Sequence, residues 1–224
     1  MDDAWLSGMC NLNSMNRMRD EVRVLIGALR DLTANQPPLP GVSPDYEAPI
    51  VRVENGERIM ANARWGLPTP AFALKGRNSD PGITNIRNTA SGHWKRWLGP
   101  ANRCLVPFTS LAEPETLSDG KKQNAWFALD DSRPIAFFAG VWVPKWKSVR
   151  KVKEGETAND LYAFLTCEPN KEVGAIHPKA MPVILTKPEE CKTWLGAEWS
   201  TVGKLQRPLP DAALKVAAMG RKSD

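Results

Sequence analysis

Residues 49–64 read PIVRVENGERIMANAR. Runs rich in Ile, Val and Met flank Asn55-Gly56, and Asn-Gly between β-favouring runs is the pair a type I′ hairpin turn selects, because both central residues need φ > 0. The reading predicts strands at 49–54 and 57–64 joined by a two-residue turn. That choice decides the fold class, because an early antiparallel pair followed by more strands leaves no place for a βαβ rhythm.

Further strands are predicted at 103–108 (RCLVPF), 125–130 (AWFALD), 134–143 (PIAFFAGVWV), 161–167 (LYAFLTC) and 181–185 (MPVIL). Several are apolar on both faces, as in a sheet covered on each side or curled on itself. Helices are fewer. Met15, Met18, Val22, Leu25, Leu29 and Leu32 recur at spacings of 3, 4, 3, 4 and 3, which predicts an amphipathic helix over 14–32 with Ser14 as its N-cap. Trp94 and Trp97 fall in a short helical segment, GHWKRWLG. Thr186 to Glu189 has capping-box-like spacing ahead of ECKTWLG. The Pro/Gly-rich segments 35–44 and 67–83 read as loops. The expected fold is α+β: a single domain with one curved, barrel-like, mostly antiparallel β-sheet and flanking helices.

The chain has 224 residues, of which 42% are hydrophobic, with a formal charge of +5. That composition suits one packed domain rather than disorder. No run approaches the ~20 apolar residues of a membrane span, and MDDAWLSG lacks the basic flank and apolar stretch of a signal peptide. A cytoplasmic protein is expected, with no membrane partner. The four cysteines, Cys10, Cys104, Cys167 and Cys191, form no C-x-x-C pair, so free thiols are expected in a reducing compartment. Only His93 and His177 could complement them, and neither sits at ligand spacing. Neither a metal nor a cofactor is expected. The positive charge is compatible with a polyanionic partner, a weak signal by itself.

Four segments concentrate chemistry: Met9-Cys10-Asn11, TNIRNTA around Asn85 and Arg87, VPFTSLAEPE around Glu113, and AIHPKAMPVIL around His177. Each has a plain structural reading. A free cysteine is most often a small buried hydrophobe, Asn85 suits a turn, Glu113 beside Pro114 reads as a solvated loop carboxylate, and His177 as a satisfied structural histidine.

Together, in this order, Met9-Cys10, R-W-G-L (64–67), T-N-I-R-N-T (84–89), R-C-L-V-P followed by Glu (103–113) and I-H-P-K-A-M-P-V-I-L (176–185) resemble the SRAP family, the SOS response-associated peptidases or abasic-site processing proteins. The resemblance runs from Cys10 to about Leu195. It implies covalent cross-linking to abasic sites in single-stranded DNA through a cysteine exposed as the mature amino terminus. A free α-amine forms a Schiff base with the aldehyde of the opened sugar, and the neighbouring thiol closes a thiazolidine. An internal cysteine has its nitrogen locked in an amide. The active protein is therefore expected to lack leader residues 1–9, leaving 10–224 as one SRAP-like domain.

The resemblance also implies roles. Asn85 orients the sugar and the amine, Glu113 positions and deprotonates the α-amine, His177 shuttles a proton to the ring oxygen, and Arg87 clamps a phosphate. Trp65 is expected as a DNA contact or site wall, and Lys95, Arg96, Lys145 and Lys147 as DNA contacts within the interleaved basic and aromatic runs 94–97 and 142–153. Three departures mark a subfamily: Cys10-Asn11-Leu12 where Cys-Gly-Arg is common, Pro114 where an aromatic often follows the glutamate, and Ala180 where an arginine often lies near the histidine. A monomer is expected, nucleoid-associated when bound to DNA. Two alternatives use the same residues: a cysteine-type (auto)peptidase with Cys10 as nucleophile, and a non-covalent single-stranded DNA-binding module.

Overall fold

The structure is a computed structural model and describes residues 11–17, 19–27, 30–33 and 37–224. In chain order the first half runs β1 (Leu12–Met15), α1 (Arg19–Ile26), β2 (Arg30–Asp31), β3 (Leu39–Val42), β4 (Glu47–Glu54), β5 (Glu57–Trp65), β6 (Asn85–Ile86), α2 (Gly92–Lys95) and β7 (Arg103–Phe108). The second half runs β8 (Ser110–Thr116), β9 (Lys122–Ala128), β10 (Ala136–Val149), β11 (Glu156–Cys167), α3 (Lys171–Gly174), β12 (Met181–Pro182), β13 (Ile184–Leu185), α4 (Pro188–Gly196), α5 (Trp199–Val202) and β14 (Lys215–Met219).

The hairpin read from 49–64 is present as β4 and β5, with Asn55 at φ 51° and Gly56 at φ 80°. Both turn residues are left-handed, as a type I′ turn demands. From this hairpin a barrel grows in the order β11-β10-β7-β4-β5. Four of its pairings are antiparallel, and the ring closes through a parallel one, Leu161 opposite Arg64 and Tyr162 opposite Trp65. Closure leaves these five strands without a free edge. The fold is α+β with a curved, barrel-like sheet, as expected.

Packing explains two sequence features. Phe108, Phe138, Phe164 and Trp65 form a continuous aromatic run, with centroids 3.9, 4.6 and 5.1 Å apart. Gly140 is directly opposite Cys104, where a Cβ would come within 2.6 Å of Sγ. α4 packs beside them, and Trp194 Nε1–H donates to the carbonyls of both Cys104 (2.9 Å) and Gly140 (3.1 Å).

A second sheet, β14-β9-β8-β1-β3, leans on the barrel where β7 passes almost directly into β8. Here the sequence reading needs correction. The helix expected over 14–32 spans only Arg19–Ile26, and Ser14 is not its cap but the buried last-but-one residue of β1. Its hydroxyl lies 2.7 Å from that of Ser110 and 3.2 Å from that of Thr109. Strand pairing to β8 and β3 overrides the helical period: Met15, Val22 and Ile26 are buried, while Leu25 and Leu32 are exposed. Met18 and Leu29 lie outside the described residues. Part of the expected 35–44 loop is β3, for the same reason. α4 starts at Pro188, and Glu190, not Glu189, accepts from the Thr186 N–H at 3.3 Å.

Candidate functional site

The site begins with β8. Its inner residues Leu111, Ala112 and Glu113 are buried, and Glu113 has no exposed surface. The carboxylate is therefore not the solvated loop group that Pro114 suggested. A buried carboxylate needs a partner, and His177 supplies one: Nδ1 lies 3.2 Å from Glu113 Oε2.

His177 is delivered by the turn after α3, whose Asn170 cap accepts from the Val173 N–H, and the His177 N–H donates to Val173 O. Its Nδ1 is also 3.2 Å from Ala180 O. A carbonyl can only accept, so Nδ1 carries the proton toward Ala180 O, with the Glu113 carboxylate at ion-pair distance beside it. With that proton on Nδ1, the neutral form of the ring has its lone pair on Nε2.

Asn85 enters from β6, which pairs in parallel with β11 so that Asn85 is opposite Phe164. Its Nδ2 donates to Thr84 Oγ1 at 2.9 Å, and that hydroxyl donates to Asn11 Oδ1 at 3.1 Å. Asn11 directly precedes β1, whose Leu12 pairs with Ala112, the neighbour of Glu113. The strand after Cys10 is thus tied to Asn85 on one side and to β8 on the other. Cys10 itself lies outside the described residues.

Arg87 ends the same segment, its Nη2 paired with Glu168. Gln206 Nε2–H holds its backbone, donating to Arg87 O (2.8 Å) and to Thr166 O (2.9 Å). Trp65 is fully buried, donates from Nε1 to Thr84 O at 3.0 Å, and stacks on Tyr162. Its side chain offers no surface to a strand, so the expected DNA contact is not available to it. Lys95, Arg96, Lys145 and Lys147 are exposed. Trp94, Trp97 and Trp142 are buried, the last beneath Arg52, whose Cζ is 4.1 Å from its ring. Thr84, Asn11, Glu168 and Gln206 join the site only through tertiary contacts. Thr84 and Asn11 carried a signal, as members of the 84–89 motif and of the segment around Cys10, whereas Glu168 and Gln206 carried none.

The remaining thiols are poor nucleophiles. Cys104, Cys167 and Cys191 are buried and free, and burial pushes all three up, Cys167 and Cys191 to about 12. Thiolate is the reactive form, so the three are expected to resist a disulfide reagent at pH 8 in folded protein and to react on unfolding, as thiol titration would show. The folded-state values lie above those of the unfolded chain. Their contribution to stability is therefore complete below about pH 8.5 and declines as pH rises toward 12, by up to about 1.4 kcal/mol per thiol per pH unit.

One clamp supports both ends of the site. Arg150, fully buried, donates from Nε to Asp45 Oδ1 (3.0 Å), from Nη1 to Gly66 O (3.1 Å) and from Nη2 to Pro81 O (3.4 Å). Gly66 follows Trp65, and Pro81 lies three residues before Thr84, so this guanidinium pins the 67–83 excursion at both feet. Among the described residues no group of three or more His, Cys, Asp or Glu could hold a metal ion, and no helix is long and apolar enough to cross a membrane.

A family model described as SOS response associated peptidase (SRAP) matches residues 9–222, nearly the whole chain. The chain belongs to the SRAP family. Solved structures agree on the SRAP chain's fold. A protein from Bordetella bronchiseptica superposes with a TM-score of 0.67 at 21% identity, covering 94% of this chain and 98% of the other. One from Bacteroides thetaiotaomicron gives 0.68 at 20% identity, covering 92% and 90%. A phage-related protein from Bordetella bronchiseptica gives 0.67 at 18%, covering 92% of each. At such identities the likeness concerns the fold. Among curated proteins none matches. Membership of SRAP associates the chain with the SOS response to DNA damage.

Proposed function

We propose that this SRAP protein captures abasic sites in single-stranded DNA as a covalent adduct of Cys10. The observation that carries the reading is the bridge Asn85–Thr84–Asn11, beside a strand pairing that sets Asn11 next to the Glu113–His177 pair. The residue following Cys10 is held between the groups that the chemistry needs. The family match also begins at Met9, directly ahead of Cys10, which supports an active form that starts at Cys10 and lacks residues 1–9.

The chemistry then runs as follows. Glu113 takes a proton from the α-ammonium of Cys10, and the amine adds to C1′ of the opened sugar. His177 Nε2 accepts the C1′ hydroxyl proton and returns it to the ring oxygen as the sugar opens, and the proton taken up by Glu113 leaves with the carbinolamine hydroxyl as water, giving a Schiff base. The thiol adds to the same carbon as its proton passes to the nitrogen, closing the thiazolidine. The sum is aldehyde plus cysteine going to thiazolidine plus one water. Asn85 orients the sugar, and Arg87 and the exposed Lys95, Arg96, Lys145 and Lys147 meet phosphates.

The test is a denaturing gel with uracil-glycosylase-treated single-stranded DNA. Protein with Cys10 as its amino terminus is expected to give an adduct heavier by the DNA minus water. One uncleavable residue ahead of Cys10 is expected to abolish it. An adduct from the extended protein, or none from the trimmed one, overturns the proposal. The family description also names a peptidase, and Cys10 could act on its own leader while internal. Peptide hydrolysis that persists in the extended protein would favour that reading. His177→Ala is expected to slow both formation and reversal of the adduct about 10²-fold or more in protein that still folds, at a lowered melting temperature because the buried Glu113 loses its partner. Wild-type rates would remove His177 from the mechanism.

A further inference from the structure

Outside the catalytic motifs, the 67–83 excursion and the far half of β10 enclose a cavity of about 320 Å³, within the range of small-ligand sites. Leu74 and the half-buried indole of Trp146 give it an apolar wall, and the exposed Arg77 and Lys147 stand at its rim. The one acidic group lining it, Asp80, is already engaged. Its carboxylate accepts from Thr69 Oγ1–H (2.5 Å), Thr69 N–H (3.2 Å) and Gly82 N–H (2.8 Å), all within the excursion. By contrast, the buried Ser148 Oγ has no hydrogen-bond partner among the described residues. Arg96 extends the positive rim, its Cζ 3.9 Å from the Trp97 ring and 5.8 Å from that of Trp146, while the two indoles meet edge to face.

We propose that this cavity is a second nucleotide subsite for single-stranded DNA, taking one base of the strand that flanks the lesion. The base lies against Trp146, and Arg77 and Lys147 meet the adjoining phosphates. The combination selects the ligand. Two rim cations outnumber the one lining anion, Asp80, whose carboxylate is turned to donors within the excursion, which favours phosphate. An aromatic wall in a base-sized cavity favours stacking over a simple counter-ion. The inference rests on DNA being the partner but not on covalent capture, because none of these residues enters the cysteine chemistry.

The experiment uses undamaged labelled oligonucleotides, which carry no aldehyde. Fluorescence anisotropy across a salt series is expected to show about tenfold weaker binding for Trp146→Ala. Arg77→Ala and Lys147→Ala, at exposed positions that cannot unfold the chain, should each reduce the salt slope by about 0.7. Trp146 packs on Trp97, so a second measurement guards against a folding defect: 5-bromodeoxyuridine placed along the strand should photo-cross-link wild-type protein within the peptide that carries Trp146. Unchanged affinity and salt slope in both cation variants, or cross-links confined to other peptides, overturns the subsite. Loss of adduct formation with these results intact would sink the covalent reading alone.

Discussion

Glu113→Gln is expected to lower the rate of adduct formation by about 10²–10⁴-fold, the usual contribution of a positioned proton acceptor, while leaving the fold intact. The amide matches the carboxylate in shape and can keep its place beside His177 Nδ1, now 3.2 Å from Oε2. What it cannot do is take a proton from the α-ammonium of Cys10. Because Glu113 has no exposed surface, no water-borne base at ordinary concentration substitutes for it. Single-turnover quench with abasic single-stranded DNA checks the rate, and a matched thermal melt checks the fold. A glutamine variant that reacts at the wild-type rate would show that Glu113 is not the base. A variant that fails to fold would instead assign it to the structure.

The second large effect concerns stability. Arg150→Met is expected to cost about 3 kcal/mol, in the range for removing one partner from a buried hydrogen-bonded ion pair. The loss strands the carbonyls of Gly66 and Pro81 and weakens the hold on Asp45, although Arg64 (3.7 Å) and Lys151 (3.4 Å) also face that carboxylate. Gly82→Ala probes the same clamp from the other side. Its Cβ would fall 2.6 Å from Arg150 Nη1 and 2.9 Å from Cζ, at a backbone φ of +77°. The steric part should vanish once Arg150 is gone, leaving only about 1–2 kcal/mol for the left-handed conformation. Denaturant melts of both single variants and the double variant form a cycle. Strictly additive costs would show that Arg150 does not clamp Gly82.

Much of the barrel was legible because its signals are local. Asn55-Gly56 announces its own turn, and the apolar runs 103–108, 136–143 (of the expected 134–143) and 161–167 lie within strands buried on both faces. β8 was missed. Its sequence SLAEPET carries Pro114 and two glutamates, and nothing nearby tells that Glu113 meets an imidazole. β1 was misread because Met15 and Val22 suit a helix face as well as a buried strand followed by a short helix. What arbitrated was the pairing of Leu12, Asn13 and Ser14 with β8. Trp65 belongs to the 64–67 motif, but only its position under Thr84 and against Tyr162 shows that its side chain is fully buried and has no surface for a ligand.

The chain by itself determined the hairpin, the α+β class and the set of residue types able to do the chemistry, since turn preference, side-chain alternation and motif order are properties of neighbours along the backbone. Tertiary structure alone decided which of those residues meet. The Thr84 hydroxyl reaches Asn11 across 73 residues, and Glu113 becomes a buried partner of His177 only when two sheets and a turn converge. Such contacts follow from the closure of the barrel and the shape of its core, which no window of sequence contains.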